Sequence, residues 1–409
     1  MSLTSSLPGR SAAGAKADCD VLIVGAGPAG SAAARVLAHD GYDVVVADQR
    51  IFPRDKVCGD GLISDALHAL TRLGVDAAVR NEAWRGDELR IYAPHGAHVS
   101  LKGDFACLPR ERLDDILLAA ARAAGATFIH ATATAPLLDG SRVSGARFKG
   151  DAGDRDIRGR FTILAAGANL ATLGTFGLAE PAKPDAVAGR AYFETPAGYA
   201  GEIDHLVIAY DRHRCPGYGW IFPAPGGRFN IGVGLFGAAA ARGGLHRFFE
   251  AFCRTFAPAV RLLEHASCIR SFRGAPIRSG LAQPTFGRPG LLAAGESIAA
   301  TYSATGEGVG KAMESGILAA EMVAQALRGE RPADGLEQAY RAEFEHRFLG
   351  RYRAYRIAQR WAASPMLLNV LTSRANAGRY VQGELEALVA ERGAVDLFSA
   401  SGLLKALIW

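Results

Sequence analysis

The most constraining feature of this chain lies near its start. Gly25-Ala26-Gly27-Pro28-Ala29-Gly30 has the spacing Gly-x-Gly-x-x-Gly, and it stands between the apolar run Val21-Leu22-Ile23-Val24 and an alanine-rich helical stretch over residues 31–39. A second apolar run, Val44-Val45-Val46-Ala47, follows and ends in Asp48. Short runs without alternation suit strands buried on both faces, so the segment reads as a β-α-β unit with a parallel strand pair. Glycines let the backbone turn tightly and let the helix start approach a pyrophosphate, where free amides and the helix dipole favour negative charge. Pro28 and Ala29 belong to this turn. Asp48, eighteen residues past Gly30, is placed to accept hydrogen bonds from ribose hydroxyls, and Gln49 and Arg50 beside it are assigned to the same site. The glycine spacing alone is a weak signal; strand, loop, helix, strand and acid together predict a dinucleotide site.

Composition narrows the class around that site. The chain has 409 residues, 49% hydrophobic and 21% charged, which excludes disorder, collagen-like repeats and a disulfide-stapled miniprotein. Its 49 glycines are roughly 12% of the chain against about 7% on average, and without a period they belong to turns and close approaches. The net charge of +5 is scattered rather than patched, which argues against nucleic acid. Six cysteines lie far apart with no CxxC and no zinc-like spacing, so the expectation is reduced thiols, no metal and a cytoplasmic protein. No run of eighteen apolar residues appears, so any membrane contact is expected to be peripheral. Residues 1–18 carry no apolar signal-peptide core and read as a flexible leader.

A second glycine-rich segment answers which dinucleotide. Residues 295–308, from Gly295-Glu296 to Gly306-Glu307-Gly308, run from a strand end into a long helix read over residues 308–327, whose Val309 is assigned to the same site, with small residues between. Glu296 can reach a ribityl chain and pyrophosphate. A helix start at Gly306 to Gly308 can aim amides at N1 and O2 of a flavin and stabilise charge on the reduced ring. FAD is therefore the expected cofactor.

Four segments, in order and spacing, resemble the flavoprotein superfamily of p-hydroxybenzoate hydroxylase, and within it the geranylgeranyl reductase family. They are the first glycine loop, Pro53-Arg54-Asp55-Lys56-Val57-Cys58-Gly59-Asp60-Gly61, Tyr218-Gly219-Trp220-Ile221-Phe222-Pro223, and residues 295–308. A looser fifth match, Arg110-Glu111-Arg112-Leu113-Asp114, places Arg110 where the superfamily has an arginine that touches the flavin. The resemblance implies FAD, an inserted substrate sheet, and reduction of isolated double bonds in an isoprenoid chain. Two departures stand out. Glu296 replaces the usual Asp, and Ala165-Ala166-Gly167-Ala168-Asn169 lacks the Asp that helps related hydroxylases bind NADPH. NAD(P)H, a reduced ferredoxin and a separate reduced flavin thus stay open as electron donor, the latter two with an electron-donor protein as partner.

Reducing an unactivated alkene needs a hydride at one carbon and a proton at the other. Cys58 is the candidate proton donor, since a thiol can deliver a proton where water is scarce; a small buried hydrophobe is the alternative. Lys56 and Gly59 flank it in the same cofactor-side loop. Tyr218, Trp220 and Phe222 alternate along one strand and so share a face, a candidate wall for a hydrophobic small molecule or lipid; ordinary core packing is the alternative. The expected architecture is α/β: a Rossmann-like FAD-binding domain (19–185 and 278–330, with 75–109 a candidate extension into the substrate domain), an inserted antiparallel substrate sheet (186–277) and a helical C-terminal region (331–409). Two competing readings keep the fold. One is a flavin-dependent hydroxylase or, less favoured, a halogenase, whose Trp-x-Trp-x-Ile-Pro motif is broken here by Tyr218 and Phe222. The other is a prenyl-binding escort protein without redox chemistry, against which the intact glycine loops argue.

Overall fold

The computed structural model describes residues 18–150, 153–178, 184–199, 201–241, 243–282, 284–303 and 305–391. The leader, except Asp18, and residues 392–409 of the helical C-terminal region lie outside the described residues.

Strand β1 (Cys19–Val24) runs parallel to β2 (Val44–Asp48), with Val21 beside Val44 and Val24 beside Ala47. Val21, Leu22, Ile23, Val44 and Val46 are fully buried, as a parallel strand covered on both faces requires. Between them α1 (Pro28–His39) starts with proline at its first position, where a missing N–H costs nothing. On the far side of β1 lies β8 (Gly153–Leu164), then β15 (Leu291–Ala293) and β14 (Gly287–Arg288). β6 (Thr127–Asp139) flanks β2. The long strands β6 and β8 each serve two sheets: their outer halves pair antiparallel with β7 (Arg142–Gly150), while Thr127 to His130 of β6 and Gly159 to Leu164 of β8 complete the parallel layer.

The second sheet has the order β13-β9-β12-β11-β10-β4-β5-β3. β9 (Ala186–Glu194), β10 (Leu206–Tyr210), β11 (Tyr218–Ala224), β12 (Arg228–Phe236) and β13 (Ser267–Ile277) come from the middle of the chain. β3 (Gly61–Leu62), β4 (Trp84–Tyr92) and β5 (His98–Cys107) come from the segment between the first and fourth helices. They join through a parallel pairing of β10 with β4, Leu206 beside Leu89. The short helices α6 (Ala238–Ala241), α7 (Leu245–Thr255) and α8 (Ala257–Leu263) follow β12, and Phe248, Phe249 and Phe252 of α7 pack on the back of the sheet with Ile221, Ile231 and Val233.

Helices α2 (Ser64–Leu73), α3 (Asp76–Glu82), α4 (Arg110–Ala123) and α5 (Leu170–Thr175) belong with the first layer, as does the long α9 (Val309–Leu327). α9 crosses α1 so closely that a Cβ on Gly316 would sit 2.1 Å from the Ala29 carbonyl oxygen. The chain then runs as α10 (Leu336–Ala362), α11 (Pro365–Ala377) and α12 (Arg379–Val389). Tyr340, Phe344 and Tyr352 of α10 are buried in the main core.

Candidate active site

One cleft, about 490 Å³ in volume, runs from the first glycine loop to the aromatic strand of the second sheet. Its first end is built at β1 and α1. Gly25 adopts φ +101°, and a Cβ there would lie 2.3 Å from the Ala165 carbonyl oxygen; a Cβ on Gly30 would lie 1.8 Å from the Gly25 carbonyl oxygen. These two glycines serve the packing of the turn. Gly27 differs, because its nearest neighbour on that side is Arg54 Nη2 at 3.8 Å: its bare Cα faces the cleft. The Asp48 carboxylate accepts from the Ala26 amide at 2.8 Å and the Arg50 amide at 2.8 Å, so the acid is fixed to the loop it serves. Gln49 and Arg50 are exposed at this end and line it with Asp48 and Ala131 to Ala133.

The middle of the cleft is made by the return segment. Gly295, at φ +67°, donates its amide to Ser315 Oγ on α9 at 2.8 Å. The Glu296 carboxylate accepts from the Arg278 amide at 3.1 Å and pairs with Lys56 at 3.6 Å. Gly306, Glu307 and Gly308 line the cleft just before α9 begins at Val309, which lines it as well. The Tyr218 hydroxyl donates to the Thr305 carbonyl oxygen, tying the aromatic strand to this loop. A continuous groove with a fixed acid, a bare glycine and a helix start at one end and a second helix N-terminus further along fits an extended dinucleotide such as FAD.

The far end holds the candidate chemistry. Tyr218, Trp220 and Phe222 all face the cleft, with ring centroids 6.2 and 6.3 Å apart in sequence. Beyond them Leu89, Leu206, Ile208 and Ile63 continue an apolar lining. The Cys58 loop lies against this wall: a Cβ on Gly59 or Gly61 would touch the Phe222 ring at 3.4 and 3.2 Å. Cys58 is half-buried. Arg110, the first residue of α4, is buried and grips Asp114 through two hydrogen bonds of 2.7 and 2.8 Å. Burial alone would depress the guanidinium, but Asp114 and then Cys58 outweigh it and hold it firmly charged. Arg54 pairs with the same Asp114 at 2.8 Å.

Apart from Gly30, which packs inside the turn, the residues that the sequence assigned to the site line this one cleft. The structure adds others that the sequence did not single out: Asp114 as the shared counter-ion of two arginines, Arg278 as the partner of Glu296, and a buried polar group of Asp60, Tyr192 and Asn230 behind Cys58. Asn169 caps α5 by accepting from the Thr172 amide at 3.2 Å, so its side chain is engaged in local structure. Among the described residues no cluster of His, Cys, Asp and Glu could hold a metal ion, and no helix is long and apolar enough to cross a membrane.

Known proteins bear on this geometry. Residues 18–348 match the family model described as FAD binding domain. Digeranylgeranylglycerophospholipid reductase 2 of Methanopyrus kandleri is 30% identical over 342 residues, covering 80% of this chain and 83% of its own length. The menaquinone reductase of Mycolicibacterium smegmatis is 32% identical over 320 residues, covering 74% of this chain and 76% of its own. Among solved structures, a geranylgeranyl bacteriochlorophyll reductase-like protein of Thermoplasma acidophilum superposes with a TM-score of 0.77 over 95% of both chains at 23% identity, a likeness of fold.

Proposed function

The chain belongs to the FAD binding domain family, and on that premise we propose that this flavoprotein reduces isolated C=C bonds in a geranylgeranyl-type chain carried by a polar lipid or related isoprenoid. The observation that carries this reading is the cleft itself, which passes from the glycine loops into an apolar arm of Trp220, Phe222, Leu89, Leu206 and Ile208 with a thiol, Cys58, at the junction. An isoprenoid offers nothing to hydrogen-bond, so affinity must come from apolar area, at about 25 cal/mol per Å², and the aromatic wall and aliphatic arm supply it. The digeranylgeranylglycerophospholipid and menaquinone reductases among the relatives support the same substrate class.

Bound and reduced, the flavin supplies the hydride to one alkene carbon. The chain supplies the rest. Cys58 gives its proton to the second carbon, and the S–H bond breaks to leave a thiolate. Two donors meet that charge: the Arg110 guanidinium and the Asp60 amide, 3.4 Å from Sγ. Asp114 keeps Arg110 aimed, and the aromatic wall keeps water from competing as a base. Solvent returns the proton to sulfur between turnovers.

The test is mass analysis of anaerobic incubations of the FAD-loaded, chemically reduced protein with geranylgeranyl diphosphate and with geranylgeranylated glycerophospholipid. Products heavier by two hydrogens per saturated bond are expected. Recovery of both substrates unchanged would overturn the reading.

A further inference from the structure

Behind Cys58 lies a buried polar node. Asp60 is 1% exposed and stands at φ +65°, a left-handed backbone that a non-glycine residue adopts only when its surroundings hold it there. Three donors hold it. The Arg110 amide reaches Oδ1 at 3.3 Å, Asn230 Nδ2 reaches Oδ2 at 2.8 Å, and the Tyr192 hydroxyl donates to Oδ2 as well. Asn230 does more than satisfy the carboxylate. The same amide nitrogen donates to the Cys58 carbonyl oxygen at 2.8 Å, and its oxygen accepts from Trp220 Nε1 at 2.9 Å. The Leu108 amide closes the other side on the Asp60 carbonyl at 3.2 Å. The loop bearing the thiol and the strand bearing the aromatic wall are thus joined through two buried side chains.

Resting on the proposed role of Cys58, we infer that Asp60 is a positioning residue for the reaction: through Asn230 and Tyr192 its carboxylate locks the Cys58 loop to the Trp220 strand, so that the thiol and the substrate wall keep one fixed relation. The groups facing it are Tyr192 and Arg190 from β9, Asn230 from β12, Arg110 from α4, Cys107 from β5 and Cys58 from its own loop. Ionised, Asp60 accepts all three hydrogen bonds; protonated, one oxygen becomes a donor facing donors, and the lock loosens. Burial raises the Asp60 carboxyl to about 6, with the Tyr192 and Asn230 hydrogen bonds pulling the other way and Arg190 and Arg110 helping them. Proton delivery by Cys58 is therefore gated by a carboxylate that acts through its hydrogen-bond partners.

The experiment follows two readouts on the FAD-loaded protein across pH: single-turnover substrate reduction, and alkylation of Cys58 by iodoacetamide, quantified on its peptide by mass spectrometry. In the natural sequence the turnover rate is expected to rise with pH through a limb near 6, and the alkylation profile to inflect there. Asp60→Asn should erase the limb and lower kcat roughly 10- to 100-fold, as loss of an orienting partner does, with KM and flavin absorbance little changed. Tyr192→Phe keeps the acid but removes a bond that favours its charged form, so the limb should move to higher pH, a shift that loss of packing alone would not produce. If no prenyl substrate turns over, the substrate reading fails while the alkylation profiles still decide the inference. Unaltered pH profiles in both folded, flavin-loaded variants would overturn it. Should Asp60→Asn fail to fold, the Tyr192→Phe shift decides alone.

Discussion

Replacing Cys58 by alanine removes one sulfur from a half-buried loop position whose backbone is held by Asn230, so the fold has little reason to notice. The chemistry has reason: without the thiol, proton transfer falls to water in a cleft built to exclude it. Cys58→Ala is expected to bind FAD with a normal flavin spectrum and to melt within a few degrees of the natural protein. Its substrate reduction should fall about 10²- to 10⁴-fold, the usual worth of a positioned acid. Anaerobic turnover beside a thermal melt checks both halves, and undiminished turnover would remove Cys58 from the mechanism. At this scale the sequence was partly legible. Cys58 and Arg110 stand inside recognisable motifs. Asp60 stands in the same motif, yet its role was hidden, because Tyr192 and Asn230 lie 132 and 170 residues further along the chain and nothing local marks either as its partner. Asp114 was visible only as the end of a charged run, where a solvated acid is the ordinary expectation; two arginines make it buried.

At the scale of elements, the glycines of the first loop separate into two physical classes. Gly30 is needed by the turn itself, whereas Gly27, at φ −70° with no contact closer than Arg54 Nη2 at 3.8 Å on that side, is needed by the ligand. Gly27→Ala is therefore expected to leave the melting temperature of the cofactor-free protein unchanged and to weaken FAD binding sharply, since the new methyl occupies the cleft. Gly30→Ala should lower both, because its methyl meets backbone. FAD titration followed by flavin fluorescence, paired with melts of the apoprotein, distinguishes the two; equal loss of stability in both variants would contradict the assignment. The β-α-β unit and the downstream glycine segment were readable because periodicity and turn chemistry are local signals. The strands around residues 84–107 lie in the segment 75–109 read as a candidate extension into the substrate domain, but their point of attachment was not readable, since it rests on a parallel pairing of Leu89 to Tyr92 with Leu206 to Ala209, which no local pattern encodes. The dual service of β6 and β8 was likewise invisible: a strand that changes partner midway looks like one strand.

At the scale of the whole molecule, the cleft lies where the two sheets meet, and the C-terminal helices are tied to its floor by buried charge. Lys311 of α9, 2% exposed, pairs with Asp65 at 3.0 Å, Glu314 at 2.6 Å and Glu391 at 3.2 Å, and Arg351 of α10 joins Glu391 at 2.7 Å. Burial, then the neighbouring acids Asp65 and Glu391, push the Glu307 carboxyl well up, which keeps added negative charge away from the helix start beside the cofactor site. The sequence showed a helical end but not its anchor, because Lys311 and Glu391 are 80 residues apart. On the proposed function, this assembled cleft couples flavin oxidation to saturation of an isoprenoid double bond. Anaerobic stopped-flow mixing of the reduced holoprotein with a geranylgeranylated lipid, with product analysis of the same samples, tests it most directly. Flavin absorbance is expected to return without oxygen, one flavin oxidised per double bond saturated. Flavin that stays reduced with every prenyl lipid, and reoxidises only when oxygen is admitted to give a hydroxylated product, would contradict it.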